Sequence, residues 1–125
     1  MSEPTDQELT SWKRRRTTAT SNLQLTIDKV DPLIDGNLGC TTQDIERLIC
    51  ELEVKFTTYK RAHDKIVGNA TYEQMRRENY GNTIAVEHMG LLKKLEDSDQ
   101  KLKLKREALD WAAEDADREA KPPIL

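Results

Sequence analysis

Apolar residues return at three- and four-residue steps along three stretches of this chain, and that periodicity restricts it to amphipathic helices. The first stripe is Leu9, Trp12, Arg16, Ala19, Leu23, Ile27, Val30 and Ile34, with an arginine among the apolar positions. The second is Ile45, Leu48, Ile49, Leu52, Phe56, Tyr59, Ala62, His63 and Ile66. The third is Ile84, His88, Leu91, Leu95, Leu102, Leu109 and Ala112. Within it Leu95, Leu102 and Leu109 recur every seven residues, as coiled-coil d positions do, while Ser98 and Lys105 weaken the matching a positions. With 34% of residues charged and only 36% hydrophobic, the stripes are narrow and the helices must share a thin core. The expectation is an all-α chain: an antiparallel helical hairpin plus a long third helix, as a three-helix bundle or a coiled-coil-like assembly.

Boundary signals place the helices at about 5–35, 42–68 and 71–120 in one domain, 1–120, followed by a tail, 121–125. Thr5 and Glu8 form a capping-box pair, in which a threonine hydroxyl and a later acidic side chain satisfy each other's backbone N–H groups; Thr71 and Gln74 repeat it. Pro32 disfavours helical geometry at Asp31, so the first helix should kink or restart there before ending at Gly36. The second should open at Thr41 or Thr42 and close near Gly68-Asn69 on a left-handed glycine. Gly81 or Gly90 could break the third, and Lys121-Pro122-Pro123 reads as a linker.

The chain contains no run of about 18 apolar residues and no apolar signal-peptide core between Met1 and Leu9, so an intracellular, cytoplasmic setting is expected. Cys40 and Cys50 lack metal-ligand spacing and read as free thiols. No nucleophile–base set, paired carboxylates or glycine-rich phosphate loop is present, so neither an enzyme, a cofactor nor a small-molecule substrate is expected. Net charge is only -3, from 20 basic and 23 acidic side chains, too small to name a partner. His63 and His88 fall on apolar faces and read as hydrogen-bonded packing residues.

Local charge is sharper at Lys13, Arg14, Arg15 and Arg16, candidates for contact with RNA or acidic lipid. Consecutive helical residues turn by about 100°, however, so the four point around the whole helix, and Arg16, on the apolar stripe, should lay its stem on the core and send its guanidinium to water.

Length adds an argument for association. A helix over 71–120 would extend about 75 Å, against about 45 Å for each arm of the hairpin. Its distal seam of Leu91, Leu95, Leu102, Leu109 and the neighbouring Trp111 should then take cover from a second copy, making the chain a homo-oligomer through its third helix. Alternatives are an adaptor for another helical protein, or a surface that binds RNA or membrane through the basic cluster.

The stretch Leu9-Thr10-Ser11-Trp12-Lys13-Arg14-Arg15-Arg16-Thr17-Thr18-Ala19-Thr20, followed by Leu23 further along the stripe, resembles the opening of the helical Gag-like region of Pao/Bel-type LTR retrotransposon polyproteins. Ile45-Glu46, Leu48, Leu52-Glu53, Lys55-Phe56, Tyr59, His63-Asp64 and Ile66 are similar to its next block, and Arg76-Arg77-Glu78-Asn79-Tyr80 echoes a third. The resemblance covers about Leu9 to Leu95. It implies the amino-terminal part of a Gag-related polyprotein, or a domesticated relative, with a role in particle assembly and no catalysis. A Cys/His zinc knuckle is absent, which weighs against genome packaging by this segment.

Overall fold

The computed structural model describes residues 3–36 and 39–120. They form α1 (Asp6–Ile27), α2 (Val30–Asp35), α3 (Thr42–Asn69), α4 (Tyr72–Arg76) and α5 (Tyr80–Ala120), with a 3₁₀ turn at Arg77–Asn79. The chain is all-α. The expected tail, 121–125, lies outside the described residues.

Two registers define the bundle. Arg16 meets His63 and Lys29 meets Glu51, so α3 runs antiparallel to α1. The contacts of Pro4 with Gln74, Asp6 with Arg77, Arg16 with Glu87, Gln24 with Lys94 and Asp31 with Lys101 all join residues 70 or 71 apart, so α5 runs parallel to α1. The return between them is α3.

Each long arm of the hairpin starts on a capping box. Thr5 Oγ1 accepts from the Glu8 N–H at 3.0 Å while Glu8 Oε1 accepts from Thr5 N–H at 3.3 Å. Thr41 and Asp44 make the same exchange, both bonds 3.1 Å, and Thr71 with Gln74 opens α4. These bonds satisfy first-turn donors that have no acceptor inside the helix.

Three boundaries differ from the sequence-based expectation. The first helix breaks at Asp28–Lys29, not at Asp31-Pro32. Pro32 is the third residue of α2, in a first turn whose N–H groups have no intrahelical partner anyway, so it fits without a break at its own position. The second helix does not end on a left-handed glycine. Gly68 is helical, Ala70 is extended at φ -65, ψ 144, and among the described residues no glycine has positive φ. The third segment breaks at Glu78 and Asn79, with φ 54 and 56, not at Gly81 or Gly90. Gly81 permits a close approach at this break instead: a Cβ there would lie 3.2 Å from the Met75 carbonyl oxygen, so only glycine lets α4 pack this tightly against the start of α5.

This break also changes where the seam goes. With α5 beginning at Tyr80, its first thirty or so residues lie along the hairpin, and Asp110 stands opposite Thr42 at the start of α3, 3.4 Å apart. Leu91 and Leu102 belong to the core with Leu23, Ile45, Leu48 and Leu52, and Leu95 and Leu109 pack against it. Leu102 is 0% exposed. The expectation that Leu91, Leu95, Leu102 and Leu109 need a second chain for cover is therefore corrected: the chain covers them itself. Only the helix beyond Asp110, about 15 Å of it, runs past the hairpin.

The core is divided. One apolar cluster holds Leu9, Ile66 and Ile84 with Trp12, Met75 and Tyr80; the larger holds Ala19, Leu23 and the residues beyond. Arg16, His63 and His88 fall between the two.

Candidate functional site

Arg16 is 3% exposed, although its place on α1 led to the expectation of a water-seeking guanidinium. The bundle supplies acceptors all round it. Its Nε donates to His63 Nδ1 at 3.1 Å, one terminal nitrogen to Glu87 Oε1 at 2.7 Å, and the other to Tyr59 Oη at 3.4 Å and the Ile84 carbonyl at 3.5 Å. A guanidinium with five fixed N–H donors suits such a distributed shell, and the partly exposed Glu87 carboxylate supplies the countercharge.

The two histidines and Tyr59 complete the layer. Tyr59 Oη accepts from Arg16 and shares a second hydrogen bond, 2.6 Å long, with His88 Nδ1, whose tautomer sets which of the two donates. His63 and His88 stack at 4.1 Å between ring centroids, 6° from parallel. Burial holds the His63 pKa down at about 4, with the His88 ring and the Arg16 charge adding to the effect. Burial also raises the Tyr59 pKa above its usual 10, against the pull of Arg16. The layer thus holds one cation, one carboxylate and an uncharged His63. Tyr59 has no exposed surface and His63 very little, while Glu87 opens the layer to solvent.

The four basic residues of α1 separate. Lys13 turns one way, its ammonium 4.1 Å from the centroid of the Tyr80 ring, and Arg16 enters the core. Arg14 and Arg15 instead face a groove between α1 and α3, joined by Arg61 and Lys65 from α3. The groove measures about 510 Å³, and Thr18, Ala19, Asn22, Thr58 and Ala62 complete its lining. Small side chains at 19 and 62 leave this room. No carboxylate lines it, and among the described residues no ion pair is formed by Arg14, Arg15 or Arg61.

Away from this groove, toward the end of α5, Trp111 is 61% exposed, and Leu104, seven residues earlier on the same side of the helix, is 65% exposed. Trp111 is framed by Glu107, Asp110 and Glu114. Of the residues expected to make a seam, Trp111 alone faces solvent.

Sequence reasoning missed Glu87, Arg61 and Lys65. The first had a signal, since Arg16, His63 and His88 are polar residues on three apolar stripes, and a buried cation demands a carboxylate nearby. The other two had none, because which side of α3 faces the outer flank of α1 depends on the bundle's handedness. Among the described residues, no group of three or more His, Cys, Asp or Glu is placed to hold a metal ion, and no helix is long and apolar enough to cross a membrane. Comparisons of the chain with protein-family models, with curated proteins and with solved structures find no match, so the resemblance to the Pao/Bel-type Gag-like region stands on the residues quoted for it alone.

Proposed function

We propose that the chain is a non-enzymatic association module that binds other copies of itself through the solvent side of α5 around Leu104 and Trp111. The observation that carries this reading is Trp111, a large aromatic side chain 61% exposed at the point where α5 outruns its own hairpin. Tryptophan buries more area than any other side chain and is over-represented among residues that dominate interfaces. Leu104 extends the apolar surface along the same side. The reactive side chains of the bundle point the same way: those with unusual chemistry, Arg16, His63 and Tyr59, are used up in internal hydrogen bonds. An assembly role also agrees with what the resemblance of Leu9 to Leu95 implies.

Sedimentation velocity of the whole chain tests the reading. At about 100 µM the wild type should sediment as more than a monomer, and Leu104→Ala with Trp111→Ala should return it to monomer with its helicity intact, since neither side chain is in the core. A wild type that is monomeric at that concentration would remove the proposal.

A further inference from the structure

Resting on that reading, we infer that the end of α5 docks in the α1/α3 groove of the next copy, Trp111 entering the groove and the surrounding carboxylates meeting its arginines. The two surfaces are complementary in charge and in shape. The groove offers Arg14, Arg15, Arg61 and Lys65 around the small side chains of Ala19 and Ala62, while the end of α5 offers Glu107, Asp110, Glu114 and Asp115 around one tryptophan. A volume of about 510 Å³ accommodates an indole with room for flanking side chains. The arginine stems give an apolar wall to the ring and keep their charged ends for the carboxylates at the rim.

The contact has to be between chains. Asp110 sits at the level of Thr42, whereas the groove begins at Thr58 on α3, about 24 Å further along the same helix, so a continuous α5 cannot bend back to it. It also has to be heterologous, because the groove, midway along α1 and α3, and the end of α5 are different surfaces of every copy. Such a heterologous contact does not close on itself in a pair. It leaves a free groove at one terminus and a free α5 end at the other, and it extends into a ring or an open filament.

A free nucleic acid could bring negative charge to the same arginines, but phosphates alone make no use of Trp111 and leave the exposed end of α5 without cover. The test separates these occupants. Two full-length variants are made: Arg15→Glu with Arg61→Glu, which reverses the groove, and Trp111→Ala with Glu114→Lys, which disables the α5 end. All four positions are exposed, and circular dichroism checks that both variants keep the wild-type helicity. Each variant alone should sediment as a monomer at a concentration where the wild type forms species larger than a dimer. Mixed at equal concentration they should form a 1:1 heterodimer and nothing larger, because one partner retains only a groove and the other only an end. Raising salt from about 50 to about 500 mM should weaken that heterodimer at least tenfold.

Association of the groove variant as strong as the wild type's, together with loss in the Trp111 variant, would overturn this docking while leaving the α5 reading of the previous section intact. Two monomeric variants that fail to pair would overturn it as well. So would tight binding of a labelled 20-mer of poly(U) to the groove, lost in the Arg15/Arg61 variant, if the wild type's self-association is untouched by that variant.

Discussion

Arg16 Nε donates to His63 Nδ1 at 3.1 Å, which leaves that imidazole nitrogen without a proton of its own. The same guanidinium reaches Glu87 on α5 and Tyr59 on α3. One α1 side chain therefore sets the level of both other long helices, and a buried polar layer between two apolar clusters fixes register, because sliding any helix by a turn would strand its members without partners.

Stability should depend on pH through His63. Its folded pKa of about 4 lies below the ordinary 6.5 of the unfolded chain. Above pH 6.5 the ring is neutral in both states and its contribution is complete; as pH falls toward 4 only the unfolded chain takes up the proton, and stability is lost. The loss should be roughly 1–2 kcal/mol at pH 5.5 relative to pH 7.5. Urea midpoints at those two pH values give the answer, and His63→Gln should flatten the difference. Equal midpoints for the wild type would show that His63 is not held neutral.

Arg16→Lys should cost about 2–4 kcal/mol, although charge is retained. An ammonium cannot serve His63, Tyr59, the Ile84 carbonyl and Glu87 from one place, and each buried acceptor left unmade costs about 1–3 kcal/mol. Chemical denaturation measures it. By contrast Arg14→Lys, at the exposed groove, should change stability by less than about 0.5 kcal/mol.

Gly81 and Gly90 should respond in opposite directions to alanine. At Gly90 an added Cβ meets nothing within 4 Å, so alanine should stabilise the helix by up to about 1 kcal/mol. At Gly81 it would press on the Met75 carbonyl at 3.2 Å and the Met75 Cβ at 3.3 Å, so alanine should destabilise. Thermal melts of the two variants should move to either side of the wild type.

Helix identity was legible in the sequence, as were two of the three capping boxes, because both depend on residues within one turn of each other. The path of the third segment was not. Its break depends on Glu78 and Asn79 taking left-handed backbone angles, and nothing in Arg77-Glu78-Asn79-Tyr80 announces that for the glutamate; the nearby glycines drew attention instead. Read as one unbroken helix, the segment seems too long for its hairpin, which places Leu102 at an interface although it lies in the core. Arg16 was misread for a related reason: its partners His63 and Glu87 are 47 and 71 residues away, beyond any local pattern.

Leu102→Ala accordingly tests the bundle and not the oligomer. A fully buried leucine cut to alanine should cost about 2–5 kcal/mol. Folded Leu102→Ala protein should still associate as the wild type does when the two are compared by sedimentation below their melting temperatures.

The most direct measurement of the association claim is the fluorescence of Trp111 itself. In a Trp12→Phe background Trp111 is the one remaining tryptophan. If copies bind through the α5 end, its emission should shift to shorter wavelength as the chain is concentrated from about 1 to about 100 µM, following the rise in sedimenting mass. Emission that stays at the solvent-exposed position while larger species form would contradict the account.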